Sequence, residues 1–267
     1  MFPQYEYRTA PIRISNRCTM HEYPTRFHRQ LELSYVESGE YSVMIDGQNY
    51  TLCPGDLYIV FPNIPHACHA SDSRGCLAII DPSLCPAFSD VLNHSKPQEP
   101  ILRKSQLPPI VREILLRMLQ LQQQESPYRQ NAMTGYVNAL LGELLNCMET
   151  VKRDSVNDLV MNLILYFQDN YTQEITLDSI ARELNYSKYY LSHVISKTFQ
   201  CNFRQLVNSY RSSMAQTLLL GSTKTVGEIA IACGFRNQSS FNRIFLQYAG
   251  MTPTQFRQQE GAEAGRI

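Results

Sequence analysis

The stretch Leu177-Asp-Ser-Ile-Ala-Arg-Glu-Leu-Asn-Tyr186, followed by Ser187-Lys-Tyr-Tyr-Leu-Ser-His-Val-Ile195, decides the fold of the last third of the chain. Its pattern returns as Val226-Gly-Glu-Ile-Ala-Ile-Ala-Cys-Gly-Phe235, then Arg236-Asn-Gln-Ser-Ser-Phe-Asn-Arg-Ile-Phe245. Each copy reads as a short amphipathic helix centred on Ile-Ala, a tight turn at Asn or Gly before an aromatic residue, and a second helix. That is the helix-turn-helix arrangement, in which the first helix braces the second so that it can enter a DNA major groove. One copy also occurs in proteins that never touch DNA. Two copies, with polar residues opening both second helices, point to nucleic acid.

Charge supports the pattern. The whole chain is neutral, with 24 basic and 24 acidic residues, yet the span from Ala181 to Arg257 carries nine Lys or Arg against Glu183 and Glu228. Positive charge concentrated over two helix pairs is a local nucleic-acid footprint, not general stickiness. Phe203–Leu220 predicts a long connecting helix. A rigid connector of that length can hold two recognition helices one DNA turn, ~34 Å, apart.

The span from about Val156 to Arg257 resembles the DNA-binding domain of AraC-family transcriptional regulators. The resemblance rests on Ile175-Thr176-Leu177, Ile180-Ala181, Tyr190-Leu191-Ser192, Ile229-Ala230, Gly234-Phe235 and the closing Gly250-Met-Thr-Pro-Thr-Gln-Phe-Arg257. One departure is Gln200-Cys201, where the family usually carries a glycine. The resemblance implies that Tyr189, Ser192 and His193 in the first copy, and Gln238, Ser239, Ser240 and Arg243 in the second, face base edges. Arg243 suits guanine, Gln238 adenine, and Tyr189 thymine methyls. Lys188, Lys197, Arg236 and Asn242 read as phosphate contacts. Ser187 is placed to cap its helix, and Asn237 joins the DNA-contacting set.

At 267 residues the chain fits one large or two medium domains. The N-terminus has no apolar signal-peptide core, and no apolar run approaches the ~20 residues of a membrane span. Eight cysteines without a C-x-x-C or regular spacing predict a reduced, cytoplasmic chain, with thiol sensing a minor alternative.

From Arg26 to Asp81 the apolar period becomes that of strands: Leu31, Leu33 and Tyr35 alternate with Glu32 and Ser34. Asp46-Gly47 is a two-residue hairpin signal, because both turn positions need positive φ. Short strands at regular spacing predict a small antiparallel barrel or jelly roll. Residues 1–15 read as a loose arm. The region Arg17–Asp81 resembles the cupin-like sensing domain that AraC-family regulators often carry, through Phe27-His28, Glu32, Gly39, Asp46-Gly47, Pro54-Gly55-Asp56 and Phe61-Pro-Asn-Ile-Pro-His66. Two helical stretches follow, Ile110–Gln124 and Tyr128–Val151, with stripes wide enough to pair two subunits as well as cover a barrel. Lys152–Ser155 reads as a polar linker.

The expected class is therefore α+β: a cupin-like sensing domain over 1–105, a helical and dimerising segment over 106–152, a DNA-binding domain over 153–260 with units at 177–199 and 226–248, and a flexible tail over 261–267. Arg26, His28, Glu32, Tyr41 (or Tyr58) and His66 are the candidate effector-binding residues. They suit a hydroxyl-rich or anionic small molecule such as a sugar, while His69 reads as a surface-loop residue. Arg26 stands where cupin enzymes place their first metal-binding His, so no metal and no cofactor is expected. Together these features predict an effector-responsive activator of a metabolic, carbohydrate-related operon. Promoter DNA, a small-molecule effector, a second copy of the chain and RNA polymerase are the expected partners, and no membrane. The alternative is a metal-dependent cupin enzyme fused to a DNA-binding module.

Overall fold

The computed structural model describes residues 4–6, 10–19, 23–68, 73–153 and 155–264. The chain divides into two compact units, Ala10–Asp154 and Ser155–Ile267, the latter together with Met1–Thr9. The first strand of the chain, β1 (Gln4–Tyr5), is part of that helical unit.

Ala10–Asp154 is built on antiparallel strands β2 (Ile12–Thr19), β3 (Tyr23–Phe27), β4 (Leu31–Ser38), β5 (Tyr41–Ile45), β6 (Gln48–Leu52), β7 (Leu57–Val60), β8 (His66–Cys68) and β9 (Ser73–Ile80). The short helix α1 (Ser89–His94) and strands β10 (Ser95–Pro97) and β11 (Ile101–Leu102) follow. One sheet runs β11-β7-β4-β9-β2 and the other contains the order β3-β8-β5-β6. The Asp46-Gly47 hairpin forms as expected: φ is 51° and 80° at the two turn residues, and Ile45 pairs with Gln48 across them. At the next turn Asp56 accepts from the N–H groups of Cys53 (3.0 Å) and Lys104 (2.9 Å) and from Arg103 (2.8 Å).

Helices α2 (Pro109–Gln122) and α3 (Arg129–Asn146) spend their apolar stripes on this barrel. Val111, Leu115, Met118, Val137, Leu140 and Leu144 join one core with Leu33, Val43 and Leu57. Covering an open sheet face is the cheapest way to bury such stripes. The sequence runs the second helix on to Val151, but α3 stops at Asn146 and Thr150–Lys152 forms β12 against β10. The polar linker expected here begins with a buried latch. Arg153 donates to the carbonyl oxygens of Pro62 (2.9 Å), Leu92 (3.0 Å) and Ser95 (2.9 Å).

The helical unit comprises α4 (Ser155–Asn170), α5 (Leu177–Glu183), α6 (Lys188–Phe199), α7 (Phe203–Gly221), α8 (Val226–Ala232), α9 (Gln238–Ala249) and α10 (Pro253–Ala264). The expected tail is helical through Ala264, and 265–267 lie outside the described residues. Nor is the arm loose where it is described: the Tyr5 ring stacks on Tyr210 of α7 at 4.4 Å, and its N–H donates to Ser209 Oγ at 3.0 Å. His69 lies outside the described residues. Among the described residues, no helix is long and apolar enough to cross a membrane.

Candidate nucleic-acid interface and barrel cluster

Both helix pairs are built alike. Thr176 caps α5 and Thr225 caps α8, each closing a reciprocal capping box. In the second copy Glu228 returns the bond to the Thr225 N–H (2.7 Å); in the first, the shorter Ser179 does so at 3.1 Å. The turn needs one left-handed residue, Asn185 (φ 57°) in one copy and Gly234 (φ 78°) in the other. At Gly234 there is no alternative to glycine, since a Cβ would stand 2.4 Å from the carbonyl oxygen of Tyr171.

Each second helix then starts from a cap, Ser187 Oγ accepting from the Tyr190 N–H at 3.2 Å and Asn237 Oδ1 from the Ser240 N–H at 2.8 Å. Asn237 therefore caps the second recognition helix, the role the sequence assigns to Ser187 in the first. Leu191, Val194 and Ile195 face the core of one pair, and Phe241, Ile244 and Phe245 that of the other. The opposite faces are free. Tyr189, Ser192 and His193 stand outward on α6, as do Gln238, Ser239, Asn242 and Arg243 on α9. Tyr189 is 80% exposed. Ser240 is only half-buried and flanks the outward face.

Ser196 and Leu246, three residues beyond His193 and Arg243, extend the same exposed faces, and the sequence reading did not include them. Helical spacing was the signal that could have found them. Of the expected phosphate contacts, Lys197 is exposed, while Lys188 reaches Asp178 at 3.5 Å and Arg236 reaches Glu174 at 2.9 Å. Glu174 and Arg236 both line a cleft of about 780 Å³, together with Phe203, Val207 and Arg211 of α7.

The C-cap that departs from the family pattern forms nonetheless. Gln200 takes the left-handed conformation (φ 50°) that Gly250 takes after α9. Cys201 and Cys233 are core residues, their thiols pushed by burial up to about 11 and about 12. At neutral pH such thiols are protonated and poor redox sensors.

Inside the barrel Arg26, His28, Glu32 and His66 come together. Glu32 of β4 is fully buried. It accepts from Tyr58 Oη at 2.8 Å, from His28 Nε2 at 3.2 Å and from Arg26 Nη2 at 3.4 Å. Burial alone would raise the Glu32 carboxyl, but the charge of Arg26 and the bond from His28 outweigh it, holding it well below the usual carboxylate range. Arg26 and His66 are direct partners across β3 and β8, with Arg26 Nε donating to His66 Nε2 at 3.3 Å. Tyr41 stacks on Tyr58 at 5.9 Å. None of these six side chains is open to solvent. A small pocket of about 120 Å³ between β5, β6 and the Lys96–Pro100 segment has none of them in its walls.

The AraC-like ligand binding domain family matches residues 9–135, and the helix-turn-helix domain family matches residues 180–259. The chain belongs to the AraC family. Full-length relatives include the melibiose operon regulatory protein of Escherichia coli K12, 22% identical over 89% of this chain and 84% of that protein. The HTH-type transcriptional activator RhaS of Citrobacter koseri is 25% identical over 95% of this chain and 94% of its own length. The regulator YtdP of Bacillus subtilis is 36% identical over 99 residues, 37% of this chain and only 13% of that protein. In fold, this AraC-family chain is similar to ToxT of Vibrio cholerae, with a TM-score of 0.61 at 15% identity over 92% of this chain and 97% of ToxT. It is a DNA-binding transcriptional regulator, as the melibiose operon regulatory protein and RhaS are named.

Proposed function

We propose that this regulator activates a carbohydrate-use operon in the cytoplasm by reading promoter DNA with two recognition helices, in answer to a small-molecule effector bound by the barrel. The observation that carries the DNA-reading half is the pair of equivalent outward faces on α6 and α9. Each starts from a side-chain cap and is backed by a buried apolar face. Tyr189, Ser192 and His193 read one major groove; Gln238, Ser239 and Arg243 read the next. Lys188, Lys197, Arg236 and Asn242 hold phosphates, Ser187 and Asn237 fix the helix starts, and Ser240 borders the contact.

The carbohydrate reading is supported by the melibiose operon regulator among the full-length relatives. Activation is supported by RhaS, named a transcriptional activator. A homodimer forms through the outer faces of α2 and α3, where Ile110 and Tyr128 remain exposed, and RNA polymerase is the partner in activation. An effector acts only by preferring one arrangement of the regulator over another. A thermal-shift screen of the full chain against mono- and disaccharides tests the effector half. A ligand at 100 times its Kd adds ~2.7 kcal/mol, a shift of several degrees. No stabilisation by any sugar, with stabilisation by a fatty acid or an aromatic acid, would overturn the carbohydrate reading and leave DNA recognition standing.

A further inference from the structure

We propose that the cleft of the helical unit is a second ligand site, which takes a small amphipathic anion: an acid group carried on a flat apolar body. Every residue of its walls belongs to the helical unit. They come from the segment that opens α5, from the first half of α7, and from α8, α9 and the turn between them. The cleft thus spans both helix-turn-helix pairs. Its volume of about 780 Å³ is that of a small-molecule site.

Two features decide the chemistry of the ligand. The first is charge. Among the described residues that line the cleft, Arg204, Arg211 and Arg236 stand against a single acid, Glu174. The second is apolar surface left open. Ile231 is 61% exposed, and Ile175, Leu177 and Phe203 are only half-buried, yet all four line the one cavity. Apolar side chains converging on a concavity with a few charged groups are what a small-molecule site presents. A guanidinium is planar and stacks on rings, so a flat body suits these walls better than a flexible one.

The walls are fixed before a ligand arrives. Arg211 donates to the carbonyl oxygens of Tyr171 (2.8 Å) and Gln173 (2.6 Å) and lies 5.9 Å from the centre of the Phe235 ring. These contacts tie α7 to the segment before α5 and to the α8–α9 turn, so binding orders little. Arg211 is thereby committed to the wall, and the other two arginines are the ones to meet an anion. Arg204 is exposed and pairs with no carboxylate among the described residues. Arg236 is held by Glu174 at 2.9 Å, but both partners are largely exposed, and a pair of that kind is weak. The acid group of the ligand exchanges for Glu174 at Arg236 and draws in Arg204, while its body covers Phe203 and Ile231.

Arg236 couples the site to DNA. Pairing with the ligand withdraws a charge that the proposed function gives to a phosphate, so ligand and duplex weaken each other by the same factor. The coupling rests on that reading. Binding in the cleft does not, and it is independent of any sugar in the barrel.

The experiment titrates the full chain with 2-naphthoate, read by the fluorescence of the probe itself, since the chain has no tryptophan. One equivalent binds. The neutral analogue 2-naphthalenemethanol binds ~10-fold more weakly, because hydrogen bonds to an ionised group are about twice as strong as neutral ones. Glu174→Gln tightens naphthoate and leaves the alcohol unchanged. Arg204→Gln and Ile231→Glu each weaken naphthoate by about 10-fold; both positions are exposed, so both variants keep the melting temperature of the parent. No binding of naphthoate by the parent or by Glu174→Gln would overturn the proposal. Binding that all three substitutions leave unchanged would place the probe elsewhere, the barrel included, and overturn it equally. A non-specific duplex weakens naphthoate in the parent. Cleft binding that the duplex leaves unchanged would uphold the site and count against the phosphate role of Arg236.

Discussion

His193 and Arg243 occupy the same station, each the sixth residue of a twelve-residue helix that begins one residue after a side-chain cap. Both are exposed, and both are backed by an apolar face buried in their own helix pair. Under the proposed function these equivalent stations read two successive grooves. Arg243→Ala should cost ~1–3 kcal/mol of specific binding and relax preference in one half-site only. His193→Ala should relax the other. Fluorescence anisotropy on operators mutated in either half separates the two. Loss of both preferences from one substitution would mean that the helices do not read independently.

Phosphate contacts should behave differently. Lys197→Ala should weaken binding about equally on every sequence and lower the salt slope by about one. Glu174→Gln should do the reverse, because it releases Arg236 from a 2.9 Å ion pair whose partners are both largely exposed. A salt titration of non-specific duplex binding checks both. A flat response in Glu174→Gln would show that Arg236 faces away from DNA.

The two left-handed stations give opposite predictions for glycine. Gly234→Ala should destabilise the helical unit and abolish DNA binding with it, since its Cβ meets the Tyr171 carbonyl oxygen at 2.4 Å. Gln200→Gly should stabilise the same unit by about 0.5–1 kcal/mol, by relieving a left-handed residue that carries a side chain. Urea denaturation followed by circular dichroism measures both signs.

In the barrel, Asp56 offers a pH test. Burial alone would raise its carboxyl, but the N–H groups of Cys53 and Lys104 and the guanidinium of Arg103 hold it below its usual value of 3.8. A carboxyl lowered by folding stabilises the folded state above its unfolded pKa, and this is lost as pH falls through the folded value. Barrel stability should therefore fall off below about pH 4, and Asp56→Ala should cost about 2 kcal/mol at neutral pH and lose part of that acid dependence. Unchanged acid sensitivity in the variant would assign it to other carboxyls.

Local patterns carried most of the fold. The doubled Ile-Ala, the Asn and Gly turns and the Asp46-Gly47 hairpin are set by nearest neighbours, and the chain obeys them. Long-range partnerships were hidden. Nothing near Tyr5 tells that its ring stacks on Tyr210, and nothing near Arg153 tells that three carbonyl oxygens from distant turns await it. The stripes of α2 and α3 were visible, as was their fit to a barrel, but not which strand residues they would meet there. Strand spacing put Arg26, His28 and Glu32 on one side. Their meeting with His66 and Tyr58 needed the pairing of β3 with β8 and of β4 with β7.

Selection of binding sites from a random duplex pool by the full chain, sequenced and fitted for paired elements, tests the central claim most directly. Two short elements about 10 base pairs apart, centre to centre, are expected, with Arg243→Ala erasing one and sparing the other. A single element, or no enrichment over random sequence, would contradict it.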